Sequence, residues 1–266
     1  MPLFIVATPL GTLDDLSPRA REVLGTVAVI AAEDTRMTRK LLGAVGIAAP
    51  ELVALHAHNE ASRAERLAER ALTEDVALVS DAGTPAVSDP GRLLVERCLA
   101  EGVEIRSVPG PSALASALAA SGLSTAPSTF LGFPPRKGLE GACREALARP
   151  ETLVFFEAPS RVVRLVATLA ELAPHRDGVL CREISKRFEE IVRAPLPALA
   201  AQLADREIRG ECVVLVGPGE PLVETPAELR SDRTKDVAAA LAERWGVKKR
   251  DVYQRLLDLE RELGGG

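Results

Sequence analysis

A chain of 266 residues, 47% apolar and 27% charged, has material for one large core or two smaller ones and the composition of a globular protein. A net charge of −5 denies it the overall basic character of a general nucleic-acid binder, so any polyanion must be met by local patches. The N-terminus has no basic leader, no apolar run approaches membrane-spanning length, and Cys98, Cys143, Cys181 and Cys212 form no CxxC pair. These features predict a soluble, unprocessed, cytoplasmic chain with free thiols.

Short β-branched runs alternate with helical patterns through the first half. Residues 3–7 read as a strand, 18–24 as a helix after Ser17, 27–32 as a strand, and 36–45 as a helix closed by Gly46. Then come strand 52–55, helix 60–73 and strand 76–79. A helix over 90–100 is expected next, with Asp89 as N-cap, Pro90 at its first position and Gly102 at its end, followed by strand 103–108. Strands separated by helices make βαβ units and a parallel sheet. Ser112, after Pro109-Gly110-Pro111, caps an alanine-rich helix to Ser121. Beyond Gly122, residues 129–132, 152–156, 179–183, 189–193 and 211–216 read as strands with fewer helices between them, some antiparallel. The Pro/Gly-rich stretch 217–226 reads as a linker, and helices 234–244 and 247–263 around Gly246 make a helix–turn–helix pattern. The expected class is α/β: a parallel-sheet domain over 1–122, a mixed-sheet domain over 123–217, and a small helical segment over 227–266.

Unusual residues gather at strand ends, which share one edge if the sheet is parallel. The first strand runs into Thr8-Pro9-Leu10-Gly11, the second into Glu33-Asp34-Thr35-Arg36, the third into His56-Ala57-His58-Asn59, and the fourth into Ser80-Asp81-Ala82-Gly83-Thr84-Pro85 with Ser88-Asp89-Pro90-Gly91 beyond it. Two of the three histidines and the single asparagine fall within 56–59, which points to a hydrogen-bonding task or a capped helix start. His-x-His lacks a matching third ligand motif, so no metal is expected. Glu33 and Asp34 suit either a helix N-terminus or proton transfer. No GxGxxG follows a strand, and neither GxxxxGK[ST] nor GxSxG occurs, which excludes ordinary nicotinamide, nucleotide-triphosphate and serine-hydrolase sites.

Together the strings TPLGTLDDLSPRA, AAEDTRMTRKLL, LHAHNE, VSDAGTPAVSDPG, PGPSA and GEC-VVLVG resemble, in order and spacing, the ribosomal RNA small subunit methyltransferase I family of the tetrapyrrole-methylase superfamily. One departure is Thr12, where that family is expected to carry asparagine. The resemblance implies a cytoplasmic homodimer of two α/β domains with S-adenosyl-L-methionine (SAM) in the cleft between them. It implies transfer of a methyl to the ribose 2′-hydroxyl of a cytidine in the decoding region of 16S rRNA, within the 30S subunit, leaving S-adenosyl-L-homocysteine. Implied cofactor contacts are Pro9, Asp81, Ala82, Gly83, Thr84, Ser88, Ser112 and Ala113, joined from the second domain by Leu131, Glu157 and Glu211. Asp34 is the first candidate to take the hydroxyl proton, ahead of Glu33 and His56, with Asn59 as an orienting group. Arg36, Arg39 and Lys40, then Arg136-Lys137 and Lys186-Arg187, are candidate phosphate contacts, as is 248–250 at the last helix. Alternatives are a tetrapyrrole C-methyltransferase and a non-catalytic RNA-binding assembly module.

Overall fold

The computed structural model describes residues 1–222 and 234–263. Part of the expected linker (223–226) and residues 227–233 lie outside the described residues. In the first half, β1 (Leu3–Val6), β2 (Val29–Ala32), β3 (Glu51–Ala54), β4 (Val76–Val79) and β5 (Ile105–Val108) join in the order β3-β2-β4-β1-β5, every pair parallel. β2 and β4 are buried along their whole length, as central strands covered on both faces must be. Alternation sorts the side chains. Leu3, Val29, Ala31, Val76 and Leu78 pack with residues of α3 (Glu60–Ala71) and α4 (Arg92–Ala100); Val6, Ile30, Ala32 and Val79 pack with residues of α1 (Pro18–Thr26) and α2 (Thr35–Ala44). The chain leaves β1 toward β2 on one side and β4 toward β5 on the other. The β1/β4 boundary is therefore the topological switch point, where a crevice opens beyond the carboxyl ends.

The fourth helix does not start as Asp89-Pro90 led us to expect. It begins at Arg92, with Gly91 as N-cap at φ 125°, where a Cβ would lie 2.4 Å from Leu78 Cδ2. Its free N–H groups are satisfied from another helix: Glu60 Oε1 accepts from Gly91 N–H at 2.9 Å and Leu93 N–H at 2.8 Å. With that task taken, Asp89 lines the crevice instead.

The second sheet holds β6 (Ser128–Gly132), β7 (Thr152–Glu157), β8 (Asp177–Arg182), β9 (Glu190–Pro195) and β10 (Cys212–Val216) in the order β6-β7-β10-β8-β9. Only β6–β7 is parallel; the other three pairings are antiparallel, so the mixed sheet expected from the texture change forms. Three helices accompany these strands: α6 (Leu139–Leu147), α7 (Pro159–Leu172) and α8 (Leu196–Leu203). α5 (Ala113–Ser121), capped by Ser112 as expected, buries Ala117 with Val154, Val179 and Leu215, so it belongs to the second sheet's core. Buried Arg176 ties the end of this sheet to a loop by donating to the carbonyls of Gly217, Arg149, Pro150 and Glu151. The four cysteines are free and buried.

Met1–Glu220 form one compact unit and Pro221–Gly266 another. In the second, α9 (Thr234–Trp245) and α10 (Lys249–Leu263) share a small core of Ala238, Ala242 and Val252. α9 ends on Gly246 at φ 65°, with Val247 N–H donating to Ala242 O and Gly246 N–H to Glu243 O, a Schellman closure. No described helix is long and apolar enough to cross a membrane.

Candidate functional site

A cleft of about 220 Å³ opens where the carboxyl edge of the first sheet meets one end of the second. From the first sheet come Leu10 after β1, Ala82, Gly83 and Thr84 after β4, and Ser112-Ala113 at the start of α5. The loops are knitted together before any ligand arrives. Thr8 and Gly83 exchange N–H···O bonds of 2.8 and 3.0 Å, Thr8 Oγ1 donates to Ser80 O, and Thr84 Oγ1 donates to Pro111 O at 3.1 Å. Ala86 and Ser88 hold φ of 66° and 65°, a left-handed backbone that non-glycine residues keep only when neighbours enforce it.

The second sheet contributes Glu157 and Ala158 from the end of β7, Cys212 and Val213 from the start of β10, and Phe133 and Phe156. Antiparallel pairing sets Cys212 opposite Glu157, which is why residues far apart in the sequence meet here. Glu157 is buried, with Oε1 accepting from Ala158 N–H at 2.9 Å. Arg161 Nη2 lies 3.2 Å from Oε2 but directs its N–H bonds to the carbonyls of Pro134 and Pro135, and Oε2 has no hydrogen bond. A buried carboxylate oxygen with Arg161 beside it but no hydrogen bond, in the wall of an apolar cleft, is suited to a ligand that brings a donor.

Carboxyl groups collect along this edge. Asp81 accepts from Asp34 N–H at 3.1 Å, and Asp81 N–H points to Glu33 Oε2 at 3.4 Å. Burial raises the pKa of Glu33 and Asp81, with like charges nearby adding to it. Burial, with Glu33, Asp81 and Glu211 nearby, pushes Asp89 up to about 6. Asp34 goes the other way: bonds from the Arg36 guanidinium and backbone hold it down at about 2. Its oxygens cap α2 through Arg36 N–H at 2.8 Å and pair with Arg36 at 2.6 Å.

Of the eleven expected cofactor residues, Ala82, Gly83, Thr84, Ser112, Ala113, Glu157 and Glu211 line this cleft. Pro9 is buried within the loop after β1, Asp81 bonds toward β2, and Ser88 sits against Gly132, where a Cβ would be 3.1 Å from its Oγ. Leu131 instead lines a separate cavity of about 140 Å³ with Pro134 and Cys143. His56–Asn59 follow edge strand β3, two strands from β4, and line neither cavity. Asn59 closes its own loop, accepting from His56 N–H at 2.9 Å and donating to Ala54 O at 3.1 Å; His56 Nδ1 is buried without a partner. Among the basic candidates, Arg36, Arg39, Lys40, Arg136, Lys137 and Arg187 are exposed. Lys186 is held inward by Glu183 at 3.0 Å and Glu211 at 2.9 Å, so it is a clamp rather than a displayed charge. Sequence reasoning missed Asp89, whose capping pattern concealed it, and Phe133 and Phe156, which carry no motif of their own.

Residues 2–200 match the family of tetrapyrrole (corrin/porphyrin) methylases. Proteins named ribosomal RNA small subunit methyltransferase I are similar: 48% identical in Xylella fastidiosa over 80% of each chain, and 43% in Pseudomonas aeruginosa over 96% of each. Among solved structures, the methyltransferase CobJ superposes with a TM-score of 0.61 at 24% identity, covering 85% of this chain and 99% of its own. Uroporphyrin-III C-methyltransferase from Thermus thermophilus, complexed with S-adenosyl homocysteine, gives 0.56 at 22%, covering 82% and 97%. These two establish the fold, and the closer relatives make the protein a methyltransferase. The chain belongs to the tetrapyrrole methylase family and, within it, to the ribosomal RNA small subunit methyltransferase I group.

Proposed function

We propose that this SAM-dependent methyltransferase modifies the 2′-hydroxyl of a cytidine ribose in the decoding region of 16S rRNA, acting as a cytoplasmic homodimer on the 30S subunit. One observation carries the reading: a largely apolar cleft at the switch point has three carboxyl groups, Asp89, Glu157 and Glu211, one with an oxygen that accepts no hydrogen bond. Small residues (Ala82, Gly83, Ala113, Ala158) leave room for an adenosine, and the carboxyl groups complement an ammonium and a sulfonium. The residues present fit the group.

SAM supplies a methyl already activated on a positive sulfur. The chain's own contribution is alignment, worth roughly 7–11 kcal/mol in a well-held displacement, and acceptance of the hydroxyl proton, worth about 10²–10⁴-fold. We assign the proton to Glu33. Burial raises its pKa, whereas the oxygens of Asp34 are engaged by Arg36 and the helix end. Phosphates meet Arg36, Arg39 and Lys40 beside β2, and Arg136-Lys137 after β6. The carboxyl groups of Asp89, Glu157 and Glu211 would hold a positively charged methyl donor more tightly than a product that lacks that charge.

The test is transfer from isotope-labelled SAM to 30S subunits that lack the modification, with a porphyrinoid precursor as the rival acceptor. Mass spectrometry should find 2′-O-methylcytidine in 16S rRNA; label on the porphyrinoid alone, or on a base, overturns the proposal. Sedimentation of the purified protein checks the dimer.

A further inference from the structure

Only six phenylalanines occur in the chain, and two of them, Phe133 and Phe188, leave more than half their surface in water, at 55% and 63%. Burying such a ring stabilises a fold by about 1.5–3 kcal/mol, so their exposure beside a cleft calls for a partner. Both emerge from one end of the second sheet. Phe133 follows β6; Phe188 lies in the turn between β8 and β9, whose register pairs Arg182 with Glu190 and with Cys212 at the cleft. Between β6 and β8 stand β7 and β10, a span of about 14 Å at ordinary strand spacing.

The turn carrying Phe188 is held firmly. Glu183 and Ser185 adopt φ of 54° and 63°, and the neighbours enforce it: Lys186 pairs with Glu183 and Glu211, Ser185 N–H donates to Glu189 at 2.6 Å, and Thr12 Oγ1 donates to Ser185 O at 2.7 Å. Gly11 lets the strand-one loop approach so closely that a Cβ there would lie 2.3 Å from the Lys186 side chain. Arg187 sits over the Phe188 ring, 5.5 Å from its centroid. An exposed aromatic ring with an arginine over it, on a rigid base beside a catalytic cleft, has the chemistry that stacks unpaired nucleobases.

We propose that Phe188, with Phe133 across the cleft end of the sheet, stacks bases flanking the acceptor nucleotide, so that RNA is taken as a splayed single strand and not as a duplex. This rests on the reading of the acceptor as RNA. Methyl transfer to unmodified 30S subunits tests it in wild type and in Phe188→Ala, Phe188→Leu and Phe188→Trp, with calorimetric titration of S-adenosylhomocysteine as a control on the cleft. Stacking predicts a rise in KM for 30S of roughly 5- to 100-fold in the alanine variant, larger than any fall in kcat. The leucine variant should stay weak and the tryptophan variant should recover. Recovery by leucine would mean plain apolar contact and overturns the proposal, as does an alanine variant indistinguishable from wild type. A change in sedimentation of the alanine variant would make the ring a contact between copies, which also overturns it. If wild type itself transfers nothing to 30S, the functional reading fails first and takes this one with it; an active wild type with unaffected variants removes stacking alone.

Discussion

Glu33 and Asp34 are adjacent, yet their surroundings assign them opposite properties. Asp34 is held near 2 by Arg36, while burial raises Glu33. Glu33→Gln should therefore lower kcat by about 10²–10⁴-fold with SAM affinity changed only a few-fold. Asp34→Asn should keep most of its rate and cost little stability, because an asparagine oxygen caps the helix about as well and the exposed pair with Arg36 contributes little; single-turnover kinetics beside thermal melts check both. Asp89 gives a pH signature. Its carboxyl titrates at about 6 in the folded chain against an ordinary 3.8. Between those values the folded state holds the proton more tightly than the unfolded chain does, so this group's contribution to stability falls as pH rises through the window. Asp89→Asn should flatten that slope in melting curves. A cationic ligand favours the ionised form, so SAM affinity should rise from about pH 5 to about pH 7 in wild type and stay level in the variant.

α4 shows how an element is completed by another one. Glu60 supplies the acceptor that Asp89 does not, so Glu60→Ala should cost about 1–3 kcal/mol in denaturant unfolding, the range for leaving a buried donor unsatisfied. Gly91→Ala should destabilise further, through both its φ of 125° and the collision with Leu78. In the second sheet, Arg176→Met takes the side-chain donor from the carbonyls of Gly217, Arg149 and Glu151 and leaves Pro150 O only the Gly219 N–H. A loss on the order of 3 kcal/mol is expected, read as a lower denaturant midpoint. Elements were legible where a local signal decides them. Ser17 and Ser112 cap their helices, Gly46, Gly122 and Gly246 close theirs, and 76–79 is a strand because four apolar residues end at a polar turn. The local signal misled at Asp89-Pro90, because a carboxylate thirty residues away competes for the same N–H groups and wins.

At the level of the whole molecule, every residue of the main cleft lies within Met1–Glu220, which is a compact unit with its own cores. A chain ending at Glu220 should melt at nearly the same temperature and bind SAM within about twofold of the full protein; unfolding on truncation would contradict this. Binding to RNA by an acidic chain must rest on local patches, so affinity for 30S should fall with added salt, and Arg39→Ala with Lys40→Ala should reduce that slope. By itself the sequence determined the order of strands and helices in the first half, the parallel first sheet, the loops at its carboxyl edge and the family, because periodicity, caps and contiguous motifs are local properties of a chain; the three helices α6, α7 and α8 of the second half were not read from it. Only the tertiary structure decided which strand ends become neighbours. The order β3-β2-β4-β1-β5 puts His56–Asn59 at the rim and the β4 and β1 loops at the crevice, and antiparallel pairing brings Cys212 to Glu157. Burial, and with it the separation of Asp34 from Glu33 and the role of Asp89, depends on those long-range neighbours, which no short stretch of sequence encodes.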